Sequence, residues 1–282
     1  MDFEYIDELL LLALREDIGT GDVTTTCCVP ESAVSSGVFI AKEQGVICGL
    51  NVLKRVFYLL DKNVQITTCV KDGDFVNSGD VLAKISGPSR SILTGERTAL
   101  NLLQHLSGIA TKTAEAVAAV SGTKAKITDT RKTVPGMRVL AKYAVRCGGG
   151  SNHRFNLSDG VLIKDNHIKA AGGIANAVAT ARKNCPHTLK IEVETETLEE
   201  VREALAAGAD IIMLDNMPPE TMSAAVDLVA GRALTEASGN MGARDLRLVA
   251  ETGVDFISIG ALTHSVKALD ISLKFESNEN AL

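Results

Sequence analysis

The chain has 282 residues, 45 % of them hydrophobic and 23 % charged, with a formal net charge of -6. That balance is an ordinary globular one, long enough for two modest cores, and it excludes disorder, collagen and coiled coil. No apolar run reaches the roughly 18 to 20 residues that span a bilayer. Net acidity with 4 % aromatics and no Trp argues against a membrane surface or a nucleic-acid partner.

The N-terminus is acidic where a secretory signal would be basic, so a cytoplasmic protein is expected. Ile6, Leu9, Leu10, Ala13 and Leu14 recur at helical spacing and predict an amphipathic first helix. GTGDVTT (19–25) reads as a Gly- and Thr-rich loop. Strand-like runs follow at 37–41, 45–47, 64–70 and 81–85, with a helix near 50–60. Asp72-Gly73 and Ser78-Gly79 predict turns of tight hairpins. A long helix is expected from Thr94, as its N-cap, to about Val120, because Ala99, Leu102, Leu103, Leu106, Ile109 and Ala110 keep i, i+3, i+4 spacing. Cysteines 27, 28, 48, 69, 147 and 185 show neither a CxxC pair nor metal-ligand spacing, and are read as reduced, mostly buried thiols.

The texture changes after about residue 105. Six short strand candidates, at 124–130, 160–165, 189–195, 209–215, 232–238 and 255–260, alternate with helical stretches at 170–182, 198–207, 219–229 and 243–251. Strand–helix alternation predicts a parallel sheet, open or closed into a barrel. No GxGxxG follows a first strand, which disfavours a dinucleotide fold.

In an α/β barrel the site is built at the C-terminal strand ends. Here those ends carry Arg131 and Lys132, Lys164 and Asp165, Glu194, Asp215, Ser238 to Asn240, and Gly260. Charge is sorted along the chain: residues 124–169 hold ten Lys or Arg and three Asp, whereas 190–227 hold ten acids and two bases. A basic half beside an acidic half suits a polyanion held partly by Lys and Arg and partly through a hard cation on carboxylates. Glu194 and Asp215 offer only oxygen, which favours Mg2+ over zinc and equally suits sugar hydroxyls. SGN (238–240) and IGAL (259–262) are small-residue turns whose backbone N–H groups suit phosphate. Arg131, Lys132, His153, Arg154 and Lys164 are candidates for an anionic ligand. Arg138, Lys142 and Arg146, at i, i+4 and i+8, read as one solvated helix face. His167 has no evident role.

The runs EDIGTGDVTT (16–25), TGERTALNLLQHLSGIAT (94–111), TDTRKTVPGMR (128–138), KYAVRCGGGSNHR (142–154), KDNHI (164–168), EVE (192–194), MLDN (213–216), EASGN (236–240) and ISIGALTHSVKALDISL (257–273) resemble, in order, the quinolinate phosphoribosyltransferase family, the carboxylating nicotinate-nucleotide pyrophosphorylases. The resemblance implies an α/β protein: an N-terminal α/β sandwich domain (1–105, with the tail 270–282 packing back) plus an open (β/α) barrel of about six parallel strands (106–269). It implies a pentosyltransferase that joins quinolinate to 5-phosphoribosyl 1-diphosphate, with Mg2+, and releases diphosphate and CO2 to give nicotinate mononucleotide for NAD. It also implies a homodimer.

Carried onto this sequence, the family pattern assigns Arg131, His153, Arg154 and Lys164 to the quinolinate carboxylates, with Thr130 and Lys132 in the same run. Arg97 would be donated across the dimer interface. Glu194 and Asp215 match the acidic pair near the ribose and Mg2+, directly or through water. Lys132, Lys164, Glu194 and Asp215 are the residues implied to be catalytic. Ser238, Gly239, Asn240, Ile259, Gly260 and Ala261 match the phosphate loops. Asn156 and Thr235 depart from the pattern, and neither touches an implied ligand. A nicotinate-type paralogue would not need the full set of Arg97, Arg131, Arg154 and Lys164. A biotinyl or lipoyl carrier, which residues 70–87 resemble locally, would need an exposed hairpin lysine, and none is convincing.

Overall fold

The computed structural model describes residues 4–276. In chain order it contains α1 (Glu4–Ile18), α2 (Val23–Cys28), β1 (Val34–Ala41), β2 (Gly45–Val46), α3 (Leu50–Leu60), β3 (Gln65–Thr68), β4 (Phe75–Val76), β5 (Val81–Pro88), α4 (Ser89–Ala119), β6 (Lys126–Thr128) and α5 (Arg138–Cys147). There follow β7 (Val161–Ile163), α6 (Asp165–Ala171), α7 (Ile174–Asn184), β8 (Ile191–Thr195), α8 (Leu198–Ala206), β9 (Ile211–Asp215), α9 (Pro219–Val229), β10 (Leu234–Ser238), α10 (Leu246–Glu251), β11 (Phe256–Ser258), α11 (Ala261–His264) and β12 (Ile271–Phe275). The chain divides into two compact units: residues up to Lys112 with Val139–Gly149 and the segment from Val266 on, and Thr113–Arg138 with Gly150–Ser265.

The first unit packs helices on an antiparallel sheet of order β12-β1-β5-β3, with β2 and β4 forming a small second sheet. Phe39, Ala41 and Gly37 of β1 face inward with the period of two expected of a half-buried strand. Phe39 meets Phe57 of α3 with ring centroids 6.5 Å apart, and Leu50, Val52, Leu53 and Val56 bury the same helix face. Ile6, Leu10 and Leu14 of α1 are buried at i, i+4 spacing, as that sequence pattern requires. Asp72 takes the backbone N–H groups of Gly49 and Leu50 at the start of α3 and also accepts from the Tyr143 hydroxyl at 2.7 Å. Residues 277–282 of the expected packing tail lie outside the described residues; β12 itself pairs antiparallel with β1.

Several local expectations are corrected here. GTGDVTT is not all loop, because Asp22 caps α2 by accepting from Thr25 N. The long helix begins at Ser89, directly after β5, and Thr94 lies inside it donating to Asp22 Oδ2 at 3.0 Å. The turns at Asp72-Gly73 and Ser78-Gly79 exist, but β4 pairs with β2 and β5 with β1 and β3, so they join different sheets rather than close hairpins. Cys27, Cys28 and Cys69 are exposed, not buried. The supposed solvated face of α5 is mostly occupied: Lys142 is 4 % exposed, and Arg138 donates to Thr133 Oγ1, Phe155 O and Arg131 O, leaving Arg146 as its exposed member.

The second unit carries the six expected strands, all parallel, in the order β6-β11-β10-β9-β8-β7, with helices in the crossovers. Central strands are apolar on both faces, as in Ile212, Met213 and Leu214 of β9. Thr197 and Glu200 form a capping box that starts α8, and Pro219 opens α9. The expected helix at 170–182 is two helices, α6 and α7, broken at Gly172-Gly173. The fold is therefore an α/β sandwich-type domain plus an open six-stranded parallel barrel-like sheet.

The opening of that barrel positions the site. The edge strands β6 and β7 do not pair with each other. Residues 151–160 fill the gap instead. Thr128 bridges in parallel to Ser151, and the Asp129 carboxylate accepts from His153 N at 2.9 Å and Asn152 Nδ2 at 2.6 Å. Arg154 Nη1 then donates to Gly160 O at 2.9 Å, just ahead of β7. An irregular segment thus delivers His153 and Arg154 where a closed barrel would have a strand pair.

Candidate active site

A cleft of about 470 Å3 opens at the C-terminal strand ends, wholly within the second unit. Thr130, Arg131, Lys132, His153, Arg154, Lys164, Glu194, Asp215, Ser238, Gly239 and Asn240 all line it. Eleven sequence candidates, drawn from five strand ends and the gap segment, therefore converge on one concavity. Ile259, Gly260 and Ala261 are not among its lining residues; Gly260 sits beside Lys132, close enough that an added Cβ would lie 2.9 Å from its Cδ. The Lys132 carbonyl also accepts from Thr263 Oγ1 at 2.7 Å, which ties the Lys132 loop to α11. Arg97 is exposed on α4 in the first unit and lies outside this set.

The cations of the cleft are not equivalent. Lys164 Nζ is bonded to Glu194 Oε2, joining the ends of β7 and β8. Burial, with the charge of Arg131 adding, holds the Arg154 guanidinium below its ordinary range. Arg131 Nε is buried and its N–H donates to no partner. Two guanidiniums that repel each other in one cleft, one with an unmet buried N–H, form a site made for a bound anion. Asp215 is oriented by Asn216, whose Nδ2 donates to its Oδ2 at 2.8 Å. His167 is resolved as structural, because its Nδ1 accepts Lys164 N at 3.0 Å and helps cap α6.

Beneath the cleft His153, a sequence candidate, meets two carboxylates that the sequence did not single out, Glu192 and Glu236. His153 Nε2 is 3.2 Å from Glu192 Oε2 and 3.5 Å from Glu236 Oε1, with both carboxylates about 96 % buried (4 % and 3 % exposed). Burial opposes charge on the ring, but the two carboxylates outweigh it and push the imidazole up to about 10. Burial, with Glu236 adding, raises the Glu192 carboxyl. Arg154 N donates to His153 Nδ1 at 2.8 Å, which fixes the ring hydrogen on Nε2; a second proton on Nδ1 would oppose that N–H. Charge balance and this bond thus put the surplus proton in different places. The surplus proton is therefore assigned to the cluster as a unit. An Nε2 that carries hydrogen is also not a metal ligand, although the three groups lie within 4.8 Å of one another.

The signal for these residues was present. Glu192 precedes Glu194 by two positions on β8, and Glu236 precedes Ser238 by two on β10. Period two places each pair on one face, and a carboxylate on the inward face of an otherwise apolar strand marks a barrel interior with polar work.

Comparison with known proteins identifies the class. The profile of the quinolinate phosphoribosyl transferase N-terminal domain matches residues 22–107, and that of the C-terminal domain matches 109–274. The chain belongs to this family. It is 49 % identical over 281 residues to a probable nicotinate-nucleotide pyrophosphorylase [carboxylating] of Bacillus subtilis, covering 99 % of this chain and 97 % of that one. It is 44 % identical over 280 residues to the corresponding protein of Mycobacterium leprae, covering 96 % and 98 %. The solved nicotinate-nucleotide pyrophosphorylase of Francisella tularensis superposes with a TM-score of 0.92 at 43 % identity, covering 98 % of each chain. A human nicotinic acid phosphoribosyltransferase superposes at 0.64 with 13 % identity, which is a likeness of fold alone. Among the described residues no helix is long and apolar enough to cross a membrane.

Proposed function

We propose that this chain transfers the phosphoribosyl group of 5-phosphoribosyl 1-diphosphate to the ring nitrogen of quinolinate and removes one carboxylate as CO2. The products are nicotinate mononucleotide and diphosphate, a step of NAD biosynthesis. The protein is a pentosyltransferase. The observation that carries the substrate assignment is the Arg131–Arg154 pair: two mutually repelling guanidiniums, one with a buried unpaired Nε, in a cleft that also holds Lys164 and Lys132. A dicarboxylate neutralises both guanidiniums through planar two-point contacts, whereas a monocarboxylate leaves one uncompensated.

Arg131, Arg154 and Lys164 hold the carboxylates and aim the ring nitrogen at the ribose C1. Orientation of this kind supplies several kcal/mol of a bimolecular barrier. Lys132, Ser238, Gly239 and Asn240, with Ile259, Gly260 and Ala261, receive the phosphates. Glu194 and Asp215 accept from the ribose hydroxyls and oppose the positive charge that develops at C1 as diphosphate departs. Each of these carboxylates is oriented through one oxygen by a neighbour, Lys164 or Asn216, and the pair is oxygen-only, which fits a hard divalent cation. They would hold Mg2+, which when bound neutralises diphosphate charge. After transfer, the positive charge of the pyridinium nitrogen stabilises the electron pair that stays on C2 as the C2–carboxylate bond breaks. No covalent enzyme intermediate is required. Arg97 is read as completing the site of a second subunit in a homodimer, and the enzyme as cytoplasmic, consistent with its exposed free thiols.

The test is an assay of diphosphate and CO2 release from quinolinate and 5-phosphoribosyl 1-diphosphate with Mg2+, with nicotinate as control acceptor. Stoichiometric release with quinolinate and little with nicotinate is expected. Equal turnover of both acceptors, or none with quinolinate, overturns the assignment.

A further inference from the structure

We propose that Glu236 supplies the proton that replaces the departing carboxylate at C2, and that it is recharged from water in a second cavity on the far side of the barrel. This rests on the reading of the reaction given above. Once the C2–carboxylate bond breaks, CO2 leaves and its electron pair stays on C2 as a carbanion beside the pyridinium nitrogen. The step ends only when C2 gains a proton; until then the carbanion can recapture CO2. One proton per turnover must therefore reach a site that the bound substrate closes from above.

The barrel provides a route from below. A second cavity of about 350 Å3 lies at the opposite, N-terminal ends of the strands, bordered by Val161, Lys190, Ile211 and Phe256. Glu236 and His153 line both this cavity and the reaction cleft, whereas Glu192 lines the lower one alone. Glu236 is 3 % exposed, and its Oε1 is buried without a hydrogen-bond partner, 3.5 Å from His153 Nε2. A buried carboxyl oxygen set between two cavities, with only a long ion-pair contact to His153 and no hydrogen bond, is costly unless it is used. The other acids of the cleft are engaged: Glu194 is bonded to Lys164, and Asp215 accepts from Asn216. His153 Nδ1 is held by the Arg154 amide.

The step balances simply. The carboxyl O–H of Glu236 breaks as the C2–H bond forms, the electron pair released from the C–C bond becomes the C–H pair, and Glu236 is left as a carboxylate. Water in the lower cavity, beside His153 and Glu192, returns the proton. Nothing is oxidised or reduced.

Glu236→Gln keeps the shape and removes the transferable proton. Diphosphate release and CO2 release are measured separately in a single turnover, with quinolinate affinity by calorimetry. CO2 release is expected to fall about 100-fold further than diphosphate release, with the mononucleotide that still carries both carboxylates accumulating, detectable by mass spectrometry. Glu236→Asp retains an acid and should recover part of that deficit, which also covers poor folding of the Gln variant. Parallel loss of both products, loss of quinolinate affinity alone, or unchanged CO2 release would each overturn the role of Glu236. If the unaltered enzyme released no diphosphate from quinolinate, the functional reading itself would fall instead.

Discussion

Gly239 and Asn216 compete for one space: a Cβ on Gly239 would lie 2.3 Å from Asn216 Oδ1 and 2.7 Å from its backbone N. Both residues are left-handed, with φ of 91° and 55°. Asn216 N donates to Ser238 O at 3.0 Å, and its side chain holds Asp215, so the ends of β9 and β10 form one unit. Any side chain at 239 must expel Asn216 and release Asp215. Gly239→Ala is expected to cost about 1–3 kcal/mol in backbone strain and to lower turnover at least about 10-fold in a protein that still folds. Thermal melting and steady-state assay check this; a variant with unaltered turnover would show that the contact does not support the site.

How far the sequence discloses the site follows from where its charges fall. Arg131, Lys164, Glu194 and Asp215 interrupt apolar strands at their ends, and that interruption is a local signal. Glu192 and Glu236 lie deeper, and reading them requires knowing which face of the strand is inward, which only pairing with β9 and β11 fixes. The burial of Lys142 shows the same limit on a helix: i, i+4 spacing defines a face but not what covers it. The pairing of β4 with β2 rather than β5 is a choice between distant partners with equally good turns, so turn residues do not reveal it. The six-strand alternation, by contrast, repeats one local pattern and is legible throughout.

Arg154 and Arg131 should behave as binding residues. Each is expected to contact one carboxylate, so Arg154→Ala leaves a dianion half neutralised. Loss of one partner from a close charge pair costs on the order of 2 kcal/mol or more, about 30-fold in affinity. Quinolinate affinity is expected to fall by at least that factor, while affinity for 5-phosphoribosyl 1-diphosphate changes little. Calorimetric titration of each substrate decides it, and unchanged quinolinate binding would move the carboxylate pocket elsewhere.

Arg97 and Glu194 give a test of the dimer. Arg97→Ala and Glu194→Ala are each expected to be nearly inactive, the second through an about 100-fold loss in turnover. If Arg97 serves the partner, a mixed dimer of the two variants contains one site with both groups intact. Random subunit exchange should then restore up to about a quarter of full activity. An Arg97 that acts within its own subunit leaves every site of the mixed dimer defective, so mixing would restore nothing.

The cluster of His153, Glu192 and Glu236 makes stability depend on pH in a defined direction. The imidazole has an ordinary value of 6.5 and is raised to about 10 in the folded chain, because Glu192 and Glu236 outweigh the opposing effect of burial. Whichever of the three groups carries it, the folded cluster keeps a proton that the unfolded chain releases above its ordinary histidine value. The resulting stabilisation is therefore complete below pH 6.5 and is lost as pH rises toward 10. Over that window the slope is at most about 1.4 kcal/mol per pH unit. Denaturant midpoints measured across it should decline in the unaltered protein, and His153→Gln should flatten the decline while lowering stability at its acidic end. An equal slope in the variant would show that the cluster does not hold the proton.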